Sequence, residues 1–147
     1  MTNQDIVLSA MRSQGRADAL DLRKRAPDMD GTGLIAEEEK IPAWDGTRDY
    51  TAWTVGSPVA DEGQVWTLIQ PHNAAYYEGR PSTHRALWGL AHTKDPAKAK
   101  PWVEPYGTSG MYMLDECYRD GVTVYRALQD NLVYTAEALP SAWEIAL

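Results

Sequence analysis

Phenylalanine is missing from this 147-residue chain, cysteine occurs once, and no stretch of 18 apolar residues runs uninterrupted. Each absence excludes something. Cys117 has no partner for an intrachain disulfide, so the fold has to be held by packing and hydrogen bonds. Without a long apolar run no membrane insertion is expected. The opening residues MTNQDIVLSAMRSQGR lack the basic start and apolar core of a secretory signal, so the expected product is soluble and made in the cytoplasm. Positive charge is also short: 14 Lys and Arg against 21 Asp and Glu leave a net charge of -7. Nucleic-acid binding draws its affinity from neutralising phosphates and is not expected here. With Phe absent, six Trp and eight Tyr supply the aromatic side chains, each with a polar end that suits a half-wet surface as well as a core.

What is present is a repeat. The stretch Asp61 to Trp88, DEGQVWTLIQPHNAAYYEGRPSTHRALW, returns shortened as Arg119 to Trp143, RDGVTVYRALQDNLVYTAEALPSAW. Both run from a turn into an alternating strand with an aromatic, a Gln, an Asn-containing loop and a terminal Trp. A copy of roughly 45 residues is near the lower limit for an independent core, so two copies packed together are expected. Laid over the first copy, Cys117 falls at the place of Val59 and reads as a small buried hydrophobe.

Ahead of the copies, residues 3–26 read as a helix capped by Thr2 or Asn3, with Ile6, Val7, Ala10 and Met11 on one face and Gly15 as a possible interruption. Two readings stay open: the helix packs on the β units, or it serves self-association or docking to a larger assembly. Residues 27–41, with DGTG and an acidic run, read as a linker arm, so that residues 1–41 form one attachment segment. Glu37, Glu38 and Glu39 read as solvated charges, since adjacent side chains do not converge on a metal. The first copy spans 42–92, with a hairpin centred on Asp61 to Gly63 and a strand in which Val65, Thr67 and Ile69 oppose Trp66 and Leu68. A spacer, 93–100, holds Asp95 as the cap of a turn begun by Pro96. The second copy spans 101–147, with strands expected around Met111 to Tyr118 and over Thr123 to Leu128.

Anchored on Trp66 and Tyr125, then on the terminal Trp, the copies differ by four residues between Gln70 and Pro81. The longer loop holds His72, Asn73, Tyr76, Tyr77, Glu78 and Arg80, a set able to stack on and hydrogen-bond to something flat and polar. Trp44, Trp66, Trp88, Trp102, Tyr125 and Trp143 recur in register and read as core. Tyr76, Tyr77, Tyr134 and Trp53 lie in or beside polar loops, where a ring can face a sugar. Gln70 and Gln129 suit either sugar hydroxyls or the loop backbone. No cofactor is implied. His84 and His92 have no partner at metal-ligand spacing, and no catalytic motif or cleft for a carboxylate pair is expected.

The stretches Gly63 to Gln70 with Ala86-Leu87-Trp88, and Gly121 to Gln129 with Ala142-Trp143, resemble the small chitin-binding carbohydrate-binding modules of families 5 and 12, above all those on phage tail proteins. The resemblance covers residues 42–147. It implies a mainly β protein of two small three-stranded antiparallel units after an N-terminal helix and arm. Together with the repeat and the loop aromatics it points to a non-catalytic phage or prophage virion-associated protein that recognises cell-surface glycans. The helix and arm, which the resemblance does not cover, are expected to meet other virion proteins or to form a homo-oligomer, with a trimer favoured. The implied sugar contacts are Trp53, Gln70, His72, Asn73, Tyr76, Tyr77 and Tyr134. Where those modules carry an exposed Trp pair, this chain has Ile69-Gln70-Pro71 and Leu128-Gln129-Asp130. A purely structural virion component of tail, neck or capsid surface is the alternative with the same fold.

Overall fold

The computed structural model describes residues 2–147. Its first element is α1, Asn3–Arg25, begun by the expected Thr2 cap. The Thr2 hydroxyl accepts from Asp5 N while the Asp5 carboxylate accepts from Thr2 N, both at 3.1 Å. Arg23, Lys24 and Arg25 sit where the helix dipole favours cations. Gly15 faces open space and does not interrupt the helix. Only the C-terminal end of α1 docks: Leu22 is buried, as is Ala26 just beyond it, while Ile6, Val7, Leu8 and Met11 remain 41–64 % exposed.

Residues 27–41, expected to be a linker arm, are folded. Asp30 caps α2, Gly31–Ala36, by accepting from Gly33 N at 2.9 Å. Leu34 and Ile35 then enter one buried cluster with Leu22, Ala26, Ile41, Val65 and Ala91. Removing these apolar side chains from water stabilises the segment by about 25 cal/mol per Å². The acidic run is not simply solvated either. Glu37 accepts from Arg25 at 2.8 and 2.9 Å and from Lys40 at 3.0 Å, and Glu38 pairs with Lys100 at 2.6 Å.

The first sheet contains β1, Pro58–Asp61, β2, Gln64–Leu68, and β3, Trp88–Leu90, antiparallel throughout. The second contains β4, Lys100–Pro101, β5, Cys117–Asp120, β6, Thr123–Ala127, and β7, Trp143–Ile145. It has four strands rather than three, because β4 pairs in parallel with β5. The free edge of β5 offers unpaired backbone groups, and the segment entering the unit supplies the partner. At the matching edge of β1 the same approach makes a single parallel bridge, Ala43 to Ala60.

The layouts otherwise agree. Trp66 opposes Val59 and Leu90 as Tyr125 opposes Tyr118 and Ile145, and both third strands open on Trp. By this register Cys117 stands at the place of Pro58, one residue from the expected match with Val59. It is nonetheless buried, and burial pushes its thiol pKa up. Both hairpins close in two residues. Glu62 and Gly63 both take positive φ, whereas in the second only Gly121 does, matching the first-position glycine of a type II′ turn. The strand expected from Met111 begins only at Cys117. Residues 113–116 form a turn in which Glu116 accepts from Met113 N at 2.7 Å and Asp115 has φ 72°.

Two aromatic cores result. One joins Tyr50, Val59, Trp66, Leu68, Ala74, Leu87 and Trp88, and the other joins Tyr112, Tyr118, Ala127, Leu132, Ala142 and Trp143. The segment between them is tied to both units. Asp95 caps its turn as expected, Cys117 N donates to Thr93 O at 2.8 Å, and His92 stacks on Tyr112 at 3.7 Å. Among the described residues no helix is long and apolar enough to cross a membrane.

Replacing Trp66 by Ala removes the centre of the first core and is expected to cost about 3–5 kcal/mol in a denaturant titration. One contribution to acid sensitivity lies at Glu37. Its hydrogen bond from Arg25, then that from Lys40, holds the carboxyl down from an ordinary 4.5 to about 2. A carboxyl depressed on folding contributes stability that is complete above 4.5 and lost as the pH falls through about 2. The gap in unfolding midpoint between the wild type and Glu37→Gln should therefore close over that window. A gap of equal size at pH 2 and pH 7 would exclude this assignment.

Candidate functional site

The long loop begins where β2 ends. Its backbone is strapped to the preceding segment: Tyr50 N donates to His72 O at 2.7 Å and Ala74 N to Arg48 O at 2.9 Å. Pro71 and Asn73 frame His72 so that its ring turns inward. It is 8 % exposed, lies 5.4 Å from both Trp88 and Tyr77, and its Nδ1–H donates to Gln70 O at 2.8 Å. His72 is therefore an interior support and not a surface contact. Asn73 is likewise committed, its side chain accepting from Ala75 N to cap a short 3-10 turn. Gln70 is exposed, and its bonds to the loop run through its backbone.

The loop tyrosines differ. Tyr76 is 83 % exposed. Tyr77 is held edge-on between His72 and His84, at 5.4 and 5.7 Å, with nearly half its surface open. Beside it lies a hollow of about 460 Å³ walled by Tyr77, Ser82, Thr83, His84, Leu87 and Tyr106. Tyr106 comes from the second unit, on a tight turn closed by reciprocal 2.9 Å backbone bonds with Ser109. Trp53 and Tyr134 are elsewhere. Trp53 leans on Tyr50 at 4.7 Å and lies under the Arg23 guanidinium of α1, and Tyr134 is exposed on the second unit.

A larger concavity, of about 980 Å³, opens in the second unit, where no cleft was expected. Tyr118 and Trp143 form a nearly buried floor, while Trp102 and Tyr125 stand half-buried in its wall. Arg119, Asp120, Thr135 and Glu137 supply polar groups. Trp102 is fixed by stacking on Tyr112 at 4.8 Å and by donating its indole N–H to Glu104 at 3.1 Å. Tyr118 accepts from Ala136 N at 2.8 Å, and burial pushes its phenol pKa up, so it presents a neutral hydroxyl.

The corresponding place in the first unit is plugged. Three residues before Trp88, Arg85 sets its guanidinium 5.2 Å from the Trp66 ring and donates to Glu104 O at 3.1 Å. Burial lowers its pKa. Three residues before Trp143 stands Pro140, which has nothing to lay over Tyr125. The two sheets therefore share a register, yet only the second keeps an open aromatic cleft.

An aromatic wall with a polar rim, within the usual size of ligand pockets, can stack on a flat apolar ring face while bonding its hydroxyls. Of the expected contacts, the structure brings Tyr77 to one hollow and none to the other. Trp102, Tyr125, Arg119, Thr135, Glu137 and Tyr106 escaped sequence reasoning. The Arg85-to-Pro140 difference was a visible signal for the cleft, and the Gly-flanked turn for Tyr106. Among the described residues no group of three His, Cys, Asp or Glu side chains is placed to hold a metal ion. Compared with known proteins, the chain matches no protein-family model and no curated protein.

Proposed function

We propose that this chain is a non-catalytic, glycan-binding protein of a phage or prophage virion, with carbohydrate-binding-module-like units. The observation that carries the reading is the open cleft walled by Trp102 and Tyr125 over Tyr118 and Trp143. The Tyr77–Tyr106 hollow adds a smaller second surface. The resemblance of residues 42–147 to chitin-binding modules supports both the ligand class and the virion context.

The exposed apolar residues Ile6, Val7, Leu8 and Met11 favour self-association through α1, with a trimer as the expected state. Several copies on one assembly raise avidity by factors of about 10² to 10⁴ without new contacts, which suits weak single sugar sites. The same helix also favours a second reading, a structural tail, neck or capsid-surface component that packs on other virion proteins.

Retention on immobilised cell-wall polysaccharides tests the first reading. Pro140→Arg should lay a plug over Tyr125 as Arg85 does over Trp66, and Tyr77→Ala should open the smaller hollow. Each is expected to lower retention about tenfold or more in the multivalent protein while the unfolding midpoint stays nearly unchanged. Undiminished retention in the double variant would remove both surfaces from the proposal. Failure of the wild type to bind any polysaccharide, with mass measurements still showing an oligomer, would leave the structural reading. Val7→Asp with Met11→Asp should reduce that oligomer to a monomer, and a wild type already monomeric would count against both.

A further inference from the structure

Five of the chain's cationic side chains converge on one concavity of about 660 Å³ between α1 and the segment from Glu39 to Trp53. Arg12, Arg16 and Arg23 lie at helical spacings of four and seven, which places them on one stripe of α1. Lys40, Arg48 and Trp53 face them, and Asp18 and Glu39 are the acidic groups of the lining. The excess is positive in a protein whose net charge is -7.

These cations are poorly neutralised. Among the described residues Arg12, Arg16, Arg23 and Arg48 make no ion pair, and Lys40 is paired with Glu37. Like charges four apart on a helix, as Arg12 and Arg16 are, destabilise it. The acids beside Arg48 form no ion pair with it, although the Asp45 carboxylate feels its charge. Asp45 accepts from Thr47 and Asp49 from Thr51, so both carboxylates close their own turns. The Arg23 guanidinium lies 4.2 Å and that of Arg48 5.6 Å from the Trp53 ring centroid. Burial and the Arg48 charge together lower the Arg23 pKa. Two guanidiniums held near one ring, neither of them in an ion pair, can both be met by one anionic ligand.

The far wall is rigid. Arg48 O accepts from Ala74 N, and Tyr50 N donates to His72 O, so Arg48 and Trp53 are strapped to the first unit. Guanidinium groups match carboxylate and phosphate oxygens in pairs. The volume suits a ligand of roughly sugar size.

We infer that this groove is an oxyanion site, separate from the two aromatic hollows, which takes a ligand carrying two or more phosphate, sulfate or carboxylate groups on a body no larger than a monosaccharide. Only side chains of the helix stripe and the Glu39-to-Trp53 segment recognise it, so the site stands whether or not glycans bind elsewhere.

Titration of the full chain with inorganic pyrophosphate, followed through the Trp53 indole N–H resonance, tests it. A saturable shift is expected at low salt. It should weaken as salt approaches 0.1 M, where the screening length is about 10 Å, and neutral glucose should give none. Arms with glucose 1,6-bisphosphate and the dicarboxylate galactarate distinguish a phosphate from a carboxylate source. Arg12→Gln and Arg16→Gln remove exposed side chains without touching the core, and together should weaken binding about tenfold. Glu39→Gln should tighten it. Should Arg23→Gln loosen α1, these three variants still decide the matter. No saturable shift up to ~10 mM pyrophosphate, or equal affinity in the wild type and the arginine variants, would overturn the assignment.

Discussion

Burial of β2 on both faces is the constraint on which the rest of the chain depends. Val65 points into the helical cluster with Leu22, Leu34 and Ile35, while Trp66 and Leu68 point into the aromatic core with Tyr50 and Trp88. At the strand's first residue, Gln64 donates from its side chain to Pro101 O at 3.0 Å and so reaches the second unit. Five residues thus touch the helices, the first core and the neighbouring sheet. A strand covered on both sides cannot slip register by one residue without exchanging its entire apolar set, so the hairpin and the helical layer specify one another.

The second sheet has a thinner cover on the equivalent face. Val124, at the place of Val65, packs only with Ala99, Cys117 and the partly buried Ala146. Among the described residues no α-helix lies there, and small side chains from the connecting turn and the chain end suffice. On the other face, the missing counterpart of Arg85 leaves Tyr125 in the wall of a cleft where Trp66 is sealed. Similar sheets are made into a closed unit and one with an open cleft by what is laid over them.

This division explains what could be read in the sequence. Local signals were sound: the Thr2 cap, the turn between the first two strands and the Asp95 cap all rest on neighbours within a few residues. Leu34 and Ile35 were missed because two adjacent apolar residues among glycines and acids have no period, and their partners Leu22, Val65 and Ala91 are distant in sequence. His72 was misplaced for a similar reason, since nothing local says that a loop imidazole turns inward against Trp88. Recurrence of Trp102 and Tyr125 identified them with the core, which is half correct: one face of each packs and the other lines the cleft. Comparing the copies by loop length drew attention to Tyr77. Comparing them residue by residue at Arg85 and Pro140 points to the larger opening.

The N-terminal helix joins these parts physically. At 1.5 Å per residue its 23 residues reach about 34 Å, yet only its last turn enters the core. Isolated helices shorter than about 12–15 residues are marginal in water even with a good cap, so the undocked part depends on propagation from the docked end. Its exposed apolar residues near the start and the arginine stripe further along make different demands: another apolar surface would answer the first, an anion the second. A partner helix that covers Ile6, Val7 and Met11 would stabilise the same turns that carry Arg12 and Arg16, and so would hold the basic stripe in place. If the proposed assembly and the proposed anion site both use this helix, the two would be coupled in sign, each ordering the segment the other requires, and by reciprocity either one would strengthen the other.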